Sequence, residues 1–356
     1  MKKIILTGGG TAGHVTPNIA LLPRLKEEDF EILYVGSYEG IEKKLITQAG
    51  IPYRGISSGK LRRYFDVKNF TDPFRVLKGF GEASSIINEF QPDIVFSKGG
   101  YVAVPVVRAA GMKRIPVVIH ESDMTPGLAN KLSYGAATKI CCNFPETLSL
   151  LPEDKAVLTG SPIREELLTG NKEKARELTG FSPEKPVLLV IGGSLGSRVV
   201  NEAVRRDLPS LLEEFSVLHL CGKGNLDEAL VGTEGYLQFE YVLDELKDYF
   251  ALADIMVSRA GANSICEILA LRKPNVLIPL SAKASRGDQI LNARSFEKQG
   301  YSLVLEEEEL SDQSLMDAVH TVWSNKDSYI EAMEQSNTGN GVENVIRLLL
   351  SLTGEK

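Results

Sequence analysis

Lys3-Ile4-Ile5-Leu6-Thr7-Gly8-Gly9-Gly10-Thr11-Ala12-Gly13-His14 decides how the chain is read. A short apolar run ends in clustered glycines, and Pro17 stands near the start of the amphipathic stretch that follows. Strand, glycine turn and helix in that order open a doubly wound α/β domain. Glycines let the backbone approach a phosphate closely, and a helix N-terminus offers unpaired N–H groups and a favourable dipole to an anion. Gly8, Gly10 and Gly13 formally satisfy G-x-G-x-x-G, so a nicotinamide-dependent dehydrogenase has to be considered. The next apolar run ends Tyr34-Val35-Gly36-Ser37, with no acidic side chain placed for an adenosine ribose. The dehydrogenase reading therefore has little support.

Outward from that loop the same unit repeats. Residues 3–7, 31–35, 94–97, 116–119 and 139–142 read as strands, and 18–28, 41–48, 75–89 and 127–134 have helical spacing. After Gly180 the pattern restarts, with strand-like runs at 186–191, 217–221, 236–239, 255–257, 275–278 and 302–304. Alternating strands and helices call for parallel sheets covered on both faces. The expected fold class is thus α/β, two Rossmann-like domains facing each other across a cleft. Residues 1–160 form the first and 161–341 the second, with 159–186, including the charged stretch 171–176, as the connection. The last apolar helix, 342–352 within residues 342–356, follows an Asn337-Thr338-Gly339-Asn340-Gly341 hinge, and the pattern leaves open which domain it packs on.

The chain's 356 residues suffice for two such domains, and 43% hydrophobic with 24% charged residues is a globular profile. The net charge of −7 argues against a general nucleic-acid binder. The average hides an asymmetry. Residues 1–163 carry 20 basic and 16 acidic side chains, and residues 51–80 carry 7 and 2. Cys141, Cys142, Cys221 and Cys266 show no CxxC spacing and read as buried reduced thiols. The start lacks the apolar length of a signal peptide, and no run approaches the ~18 apolar residues of a membrane span, so a cytoplasmic location is expected.

The chemistry-bearing residues gather where strands end. Gly99-Gly100-Tyr101 and His120-Glu121-Ser122-Asp123 follow two strands of the first half, at the sheet edge where open α/β folds bind ligands. His14, ending the first glycine loop, is either a base or phosphate ligand there or a helix-start residue that merely satisfies the backbone. In the second half Gly192-Gly193-Ser194-Leu195-Gly196-Ser197 makes a second anion cradle. Arg259-Ala260-Gly261-Ala262-Asn263-Ser264-Ile265-Cys266-Glu267 follows another strand, its small residues leaving room for a planar or sugar group. Glu267 either accepts hydrogen bonds from vicinal hydroxyls or stabilises the first turn of its helix, worth ~0.3–1 kcal/mol. Arg286-Gly287-Asp288-Gln289 adds further hydroxyl-binding groups.

Taken in order over nearly the whole chain, these motifs resemble the MurG family of bacterial peptidoglycan N-acetylglucosaminyltransferases. The resemblance implies the GT-B fold, no metal or other cofactor, and inverting transfer of N-acetylglucosamine from UDP-GlcNAc to the C4 hydroxyl of lipid I, giving lipid II. Carried over, it puts the donor on Arg164, Ser194, Leu243, Ala262, Asn263, Ser264, Ile265, Cys266, Glu267, Asp288 and Gln289. Thr11, Ala12, Gly13 and Asp123 border it. The acceptor diphosphate falls to Gly10, Gly13, Gly99, Gly100 and Tyr101, and His14 is the expected general base. Three positions depart from the family pattern: Ala12 stands for glycine, Asp123 for asparagine and Asp288 for glutamine. Asp123 is thereby a second candidate base. The absence of an Asp-x-Asp at a strand end agrees with transfer without a metal.

Because lipid I is membrane-anchored, the resemblance also turns the basic, aromatic segment around Arg62, Arg63, Phe65, Phe74, Arg75 and Lys78 from a solvated surface into a patch for anionic headgroups. It implies a peripheral place on the cytoplasmic face of the membrane, with cell-wall synthesis and division proteins as further partners. Another UDP-sugar GT-B enzyme, such as a glycolipid glycosyltransferase or a UDP-GlcNAc 2-epimerase, and a non-catalytic cell-wall scaffold are the alternatives.

Overall fold

In a computed structural model, residues 1–59, 72–193, 196–284 and 287–354 are described. They divide into two compact units, Met1–Arg164 with Asn340–Lys356, and Glu165–Gly339. Among the described residues the first unit holds strands β1 (Lys2–Thr7), β2 (Phe30–Ser37), β3 (Tyr53–Ile56), β4 (Ile94–Ser97), β5 (Val117–Glu121), β6 (Lys139–Cys142) and β7 (Ala156–Leu158). They pair in the order β3-β2-β1-β4-β5-β6-β7, every ladder parallel. The second unit holds β8 (Val187–Ile191), β9 (Ser216–Leu220), β10 (Tyr236–Phe239), β11 (Ile255–Ser258), β12 (Asn275–Leu277) and β13 (Leu303–Val304), in the parallel order β10-β9-β8-β11-β12-β13.

Strand alternation explains why both faces of the first sheet are covered. Ile5, Val35, Val95, Val117 and Ile119 enter one core, whereas Ile4, Leu6, Tyr34, Phe96 and Val118 enter the other. A parallel sheet buried on both sides has no polar face, hence the nearly continuous apolar runs. In the second unit Leu188, Val190, Val217, Ile255, Val257 and Val276 share one core with the helices Arg198–Glu214 and Ser314–Ser324.

The C-terminal helix, Gly341–Thr353, returns to the first unit. Val345, Ile346 and Leu349 join its core, Arg24 Nε reaches Glu343 at 2.6 Å, and Asn344 donates to the Thr159 carbonyl at 2.9 Å.

Several expectations need correction. The edge strands β3 and β7 were absent from the sequence reading, and residues 161–164 fall with the first unit. The stretch read as a connection contains a helix of the second unit, Lys172–Thr179. Asn171 caps it by accepting the Lys174 N–H at 2.8 Å, and left-handed Gly180 ends it. Only Ala175 of that helix is buried, while Lys172 and Lys174 pair with Asp254 at 3.0 Å and Asp248 at 2.7 Å. All four cysteines are free and buried.

Candidate active site

In the first unit the parallel strands bring three loops together. Thr7 closes β1 by donating its hydroxyl to the Val35 carbonyl at 2.8 Å, and the chain then turns through Gly8–Gly10. Gly9 N–H donates to the Gly99 carbonyl at 3.3 Å. Gly100, at φ +85°, lies so close that a Cβ there would collide with the Gly9 carbonyl. Only glycine combines that backbone conformation with that approach.

His14 ends the short turn Ala12–His14 and is half-buried. Its Nδ1 lies 3.1 Å from the Gly9 carbonyl and 3.2 Å from the Thr11 hydroxyl. A carbonyl can only accept, so Nδ1 carries the hydrogen and Nε2 is the basic nitrogen. Burial first, then the charge of Lys98, pull the imidazole below its ordinary pKa, while the Gly9 bond and Glu42 oppose them. The ring is neutral near pH 7, the state a general base requires.

Two residues that the sequence reading missed support this loop. Glu42, at the start of the helix Ile41–Gln48, is 1% exposed, and its carboxylate accepts from Gly10 N–H (3.2 Å), Ser37 N–H (3.0 Å) and the Ser37 hydroxyl (2.5 Å). The Gly10 N–H, expected on an acceptor diphosphate, thus already serves the chain's own anion. Lys98, 1% exposed beyond β4, places Nζ 2.7 Å from His120 Nδ1 and 2.5 Å from the Ser122 hydroxyl. Its sequence signal was a lone charge between an apolar strand and two glycines.

His120 and Glu121, read as following a strand, lie inside β5 and are buried. Glu121 accepts from the N–H groups of Ser122 and Gly127 and from Asn130 Nδ2, between 2.9 and 3.0 Å. It shapes the loop that carries half-buried Asp123. Burial pushes the Glu121 carboxyl up, against the bonds from Asn130 and Gly127. Gly13 and Tyr101 are half-buried, whereas Thr11 and Ala12 are exposed.

The second unit carries a parallel construction. Ser197 caps the helix Arg198–Glu214, accepting the Val200 N–H at 3.3 Å. Buried Arg259 binds the Ser197 hydroxyl at 2.6 Å, the Ile278 and Pro279 carbonyls at 3.0 and 3.2 Å, and the Glu307 carboxylate. The ends of β8, β11 and β12 are thereby locked together, and Arg259 is a clamp rather than a ligand group. Ser194 lies outside the described residues.

The helix Ala262–Leu271 starts at Gly261, and the N–H groups of its first turn have no carbonyl inside the helix to meet. Asn263 and Ser264 are half-buried there. Ala262, Ile265 and Cys266 are buried, so a ligand would meet them through backbone atoms. The first turn holds no acidic residue, which removes dipole stabilisation as the reason for Glu267. That side chain is half-buried in the second turn.

Asp288 opens the helix Asp288–Lys298, and Gln289 Oε1 accepts the Leu280 N–H at 3.1 Å. Leu243, 76% exposed, lies on a separate turn before the helix Leu246–Leu252. Arg164 closes the first unit, and its Nε is buried with no hydrogen-bond partner among the described residues.

This arrangement has known counterparts. Residues 4–142 match the glycosyltransferase family 28 N-terminal domain and residues 187–349 its C-terminal domain. A Lachnoclostridium phytofermentans protein named UDP-N-acetylglucosamine--N-acetylmuramyl-(pentapeptide) pyrophosphoryl-undecaprenol N-acetylglucosamine transferase is 62% identical over 349 residues, 98% of each chain. The chain belongs to glycosyltransferase family 28. The Clostridium tetani family member of the same name is 59% identical over 98% of this chain and 97% of its own. In fold, the family-28 chain resembles Acinetobacter baumannii MurG, with a TM-score of 0.75 at 24% identity, covering 98% and 99% of the two chains. The GT-B architecture expected from the sequence is the one this likeness shows.

Proposed function

We infer that this chain transfers N-acetylglucosamine from UDP-GlcNAc to lipid I, forming lipid II for peptidoglycan synthesis. The observation that carries the reading is the 62% identity, across 98% of both chains, to a transferase whose name states that reaction.

The residues fit the chemistry as follows. His14 Nε2 takes the proton from the C4 hydroxyl of the muramoyl sugar as that oxygen attacks the anomeric carbon. Attack from the face opposite the departing diphosphate inverts the centre. Asp123 either shares the proton's path or accepts a sugar hydroxyl. UDP leaves with its charge met by the glycine turn before Arg198–Glu214, with Ser194 in it, and by Arg164, whose buried Nε seeks an acceptor. The backbone at the Leu243 turn and at Ala262–Cys266 holds the nucleoside, Glu267 accepts the ribose hydroxyls, and Asp288 and Gln289 bind the sugar. Thr11, Ala12 and Gly13 border the donor. Gly13, Gly99, Gly100 and Tyr101 are left for the acceptor diphosphate.

The first unit is thus the acceptor side and the second the donor side. No helix among the described residues is long and apolar enough to cross a membrane. The helix Asp72–Phe90, which carries Phe74, exposes Arg75, Leu77 (68%) and Lys78. Its exposed cations are suited to the anionic cytoplasmic leaflet, whereas Arg62, Arg63 and Phe65, expected in the same patch, lie outside the described residues. Proteins of cell-wall synthesis and division are the partners expected there. UDP release measured with and without a lipid I analogue tests the assignment. Release must depend on the acceptor; acceptor-independent formation of a UDP-sugar epimer would replace transfer with epimerisation.

A further inference from the structure

A fully buried lysine beneath a loop of glycines is costly unless its charge is used. Lys98 is such a residue, and no step of the transfer above is assigned to it. Its hydrogen bonding is chemically determined. His120 Nε2 lies 2.9 Å from the Gly160 carbonyl, which only accepts, so Nε2 bears the hydrogen and Nδ1 a lone pair. The partner 2.7 Å from Nδ1, Lys98 Nζ, is therefore the donor, and a second N–H goes to the Ser122 hydroxyl at 2.5 Å. With the Lys98 backbone N–H on the Thr7 carbonyl at 2.9 Å, one residue joins the ends of β1, β4 and β5 and, through His120, the segment after β7.

We propose that Lys98 is a positioning residue for the transfer step: its buried ammonium ties the Ser122–Asp123 loop to the end of β4 and supplies positive charge beneath the loop that ends in His14. The proposal rests on the reading of His14 as the base. Lys98 lies under the same loop: a Cβ on Gly8 would stand 3.3 Å from Lys98 Cβ and 2.6 Å from the His14 carbonyl. Gly9 and Thr11 of that loop meet the ring, and the charges that bear on it are Lys98 and, from the helix Ile41–Gln48, Glu42. Glu121 at the end of β5 feels Asp123, which raises its pKa, and Lys98, which lowers it, so the same cation opposes the repulsion between these two carboxylates. Burial and Lys98 act in one direction on His14 and outweigh Glu42, which keeps Nε2 unprotonated for the acceptor.

The test uses Lys98→Gln, whose amide still donates to His120 or Ser122 but carries no charge, with Lys98→Met as a second neutral variant. Ser122→Ala removes one tether and leaves the charge. His14 is followed directly by nitrogen-15 NMR of its ring, and kcat is measured from pH 5.5 to 8.5 with a lipid I analogue. Neutralising Lys98 is expected to move the His14 titration upward and to lower the ratio of kcat at pH 6 to that at pH 8 by about twofold or more. Ser122→Ala is expected to leave the titration in place and raise the acceptor KM. An unmoved His14 titration, with kcat lowered equally at every pH in either neutral variant, overturns the proposal and makes Lys98 purely structural. If the wild-type chain fails to use lipid I, the functional reading falls, but the NMR titration still decides what Lys98 does to His14.

Discussion

Replacing Glu42 by glutamine changes one atom, and the structure states where it matters. Ser37 supplies two donors, its N–H at 3.0 Å and its hydroxyl at 2.5 Å, to one carboxylate oxygen, and Gly10 N–H supplies one, at 3.2 Å, to the other. An amide satisfies Ser37 with its oxygen and then turns an NH2 toward the Gly10 N–H, donor against donor. The pocket offers no relief by movement: a Cβ on Gly9 would lie 2.6 Å from Glu42 Cδ and one on Gly36 2.8 Å from its Cγ. Losing a hydrogen bond to a charged acceptor and setting two donors face to face together cost about 2–3 kcal/mol. For a unit of this size each kcal/mol lowers Tm by about 2–4 °C, so a fall of about 4–12 °C is expected. Because the Gly9 carbonyl orients His14, kcat should also fall, by about tenfold for a sub-ångström displacement of the base. Calorimetry reads the first effect, and transfer kinetics at saturating substrates the second. A variant melting within about 1 °C of wild type, with unchanged kcat, would refute the claim that Glu42 holds the glycine loop.

His14→Ala should lower kcat by about 10²–10⁴ while UDP-GlcNAc affinity, measured by calorimetric titration, stays near wild type; wild-type turnover would remove His14 as the base. His219 is buried with its Nε2 on Asn201 and its Nδ1 on Tyr236, and burial lowers its pKa from 6.5 to about 3. Below pH 6.5 the unfolded chain binds a proton that the folded one refuses. Stability therefore falls as pH drops from 6.5 toward 3, by about 1.4 kcal/mol per unit for this residue. Urea unfolding at pH 7 and 5 should show a slope that His219→Gln reduces by about one proton, and an identical slope in both proteins would contradict the assignment. Reversing the charges of Arg62, Arg63, Arg75 and Lys78 should weaken sedimentation with anionic vesicles; unchanged binding would remove the membrane surface from the account.

Much of this architecture was readable because parallel strands buried on two faces leave apolar runs of recognisable length, and glycine turns mark where they end. The edge strands escaped for opposite reasons. Tyr53-Arg54-Gly55-Ile56 mixes charge and glycine, and Ala156-Val157-Leu158 is too short to show a period; pairing with β2 and β6, not propensity, makes them strands. The helix Lys172–Thr179 had its signals in Asn171 and Gly180, but a single buried residue leaves almost no apolar stripe to detect. Glu42 and Lys98 were hidden because their meaning depends on partners far along the chain. Gly10 lies 32 residues from Glu42, and His120 lies 22 from Lys98. Glu267 shows the reverse: sequence alone left two explanations open, and its place in the second turn removed one.

The most direct test incubates the chain with radiolabelled UDP-GlcNAc and a lipid I analogue in EDTA and determines the linkage of the lipid product by NMR. The account predicts acceptor-dependent formation of a β-1,4-linked N-acetylglucosaminyl–muramoyl disaccharide lipid. Binding of UDP-GlcNAc with no sugar transferred to the analogue would contradict it.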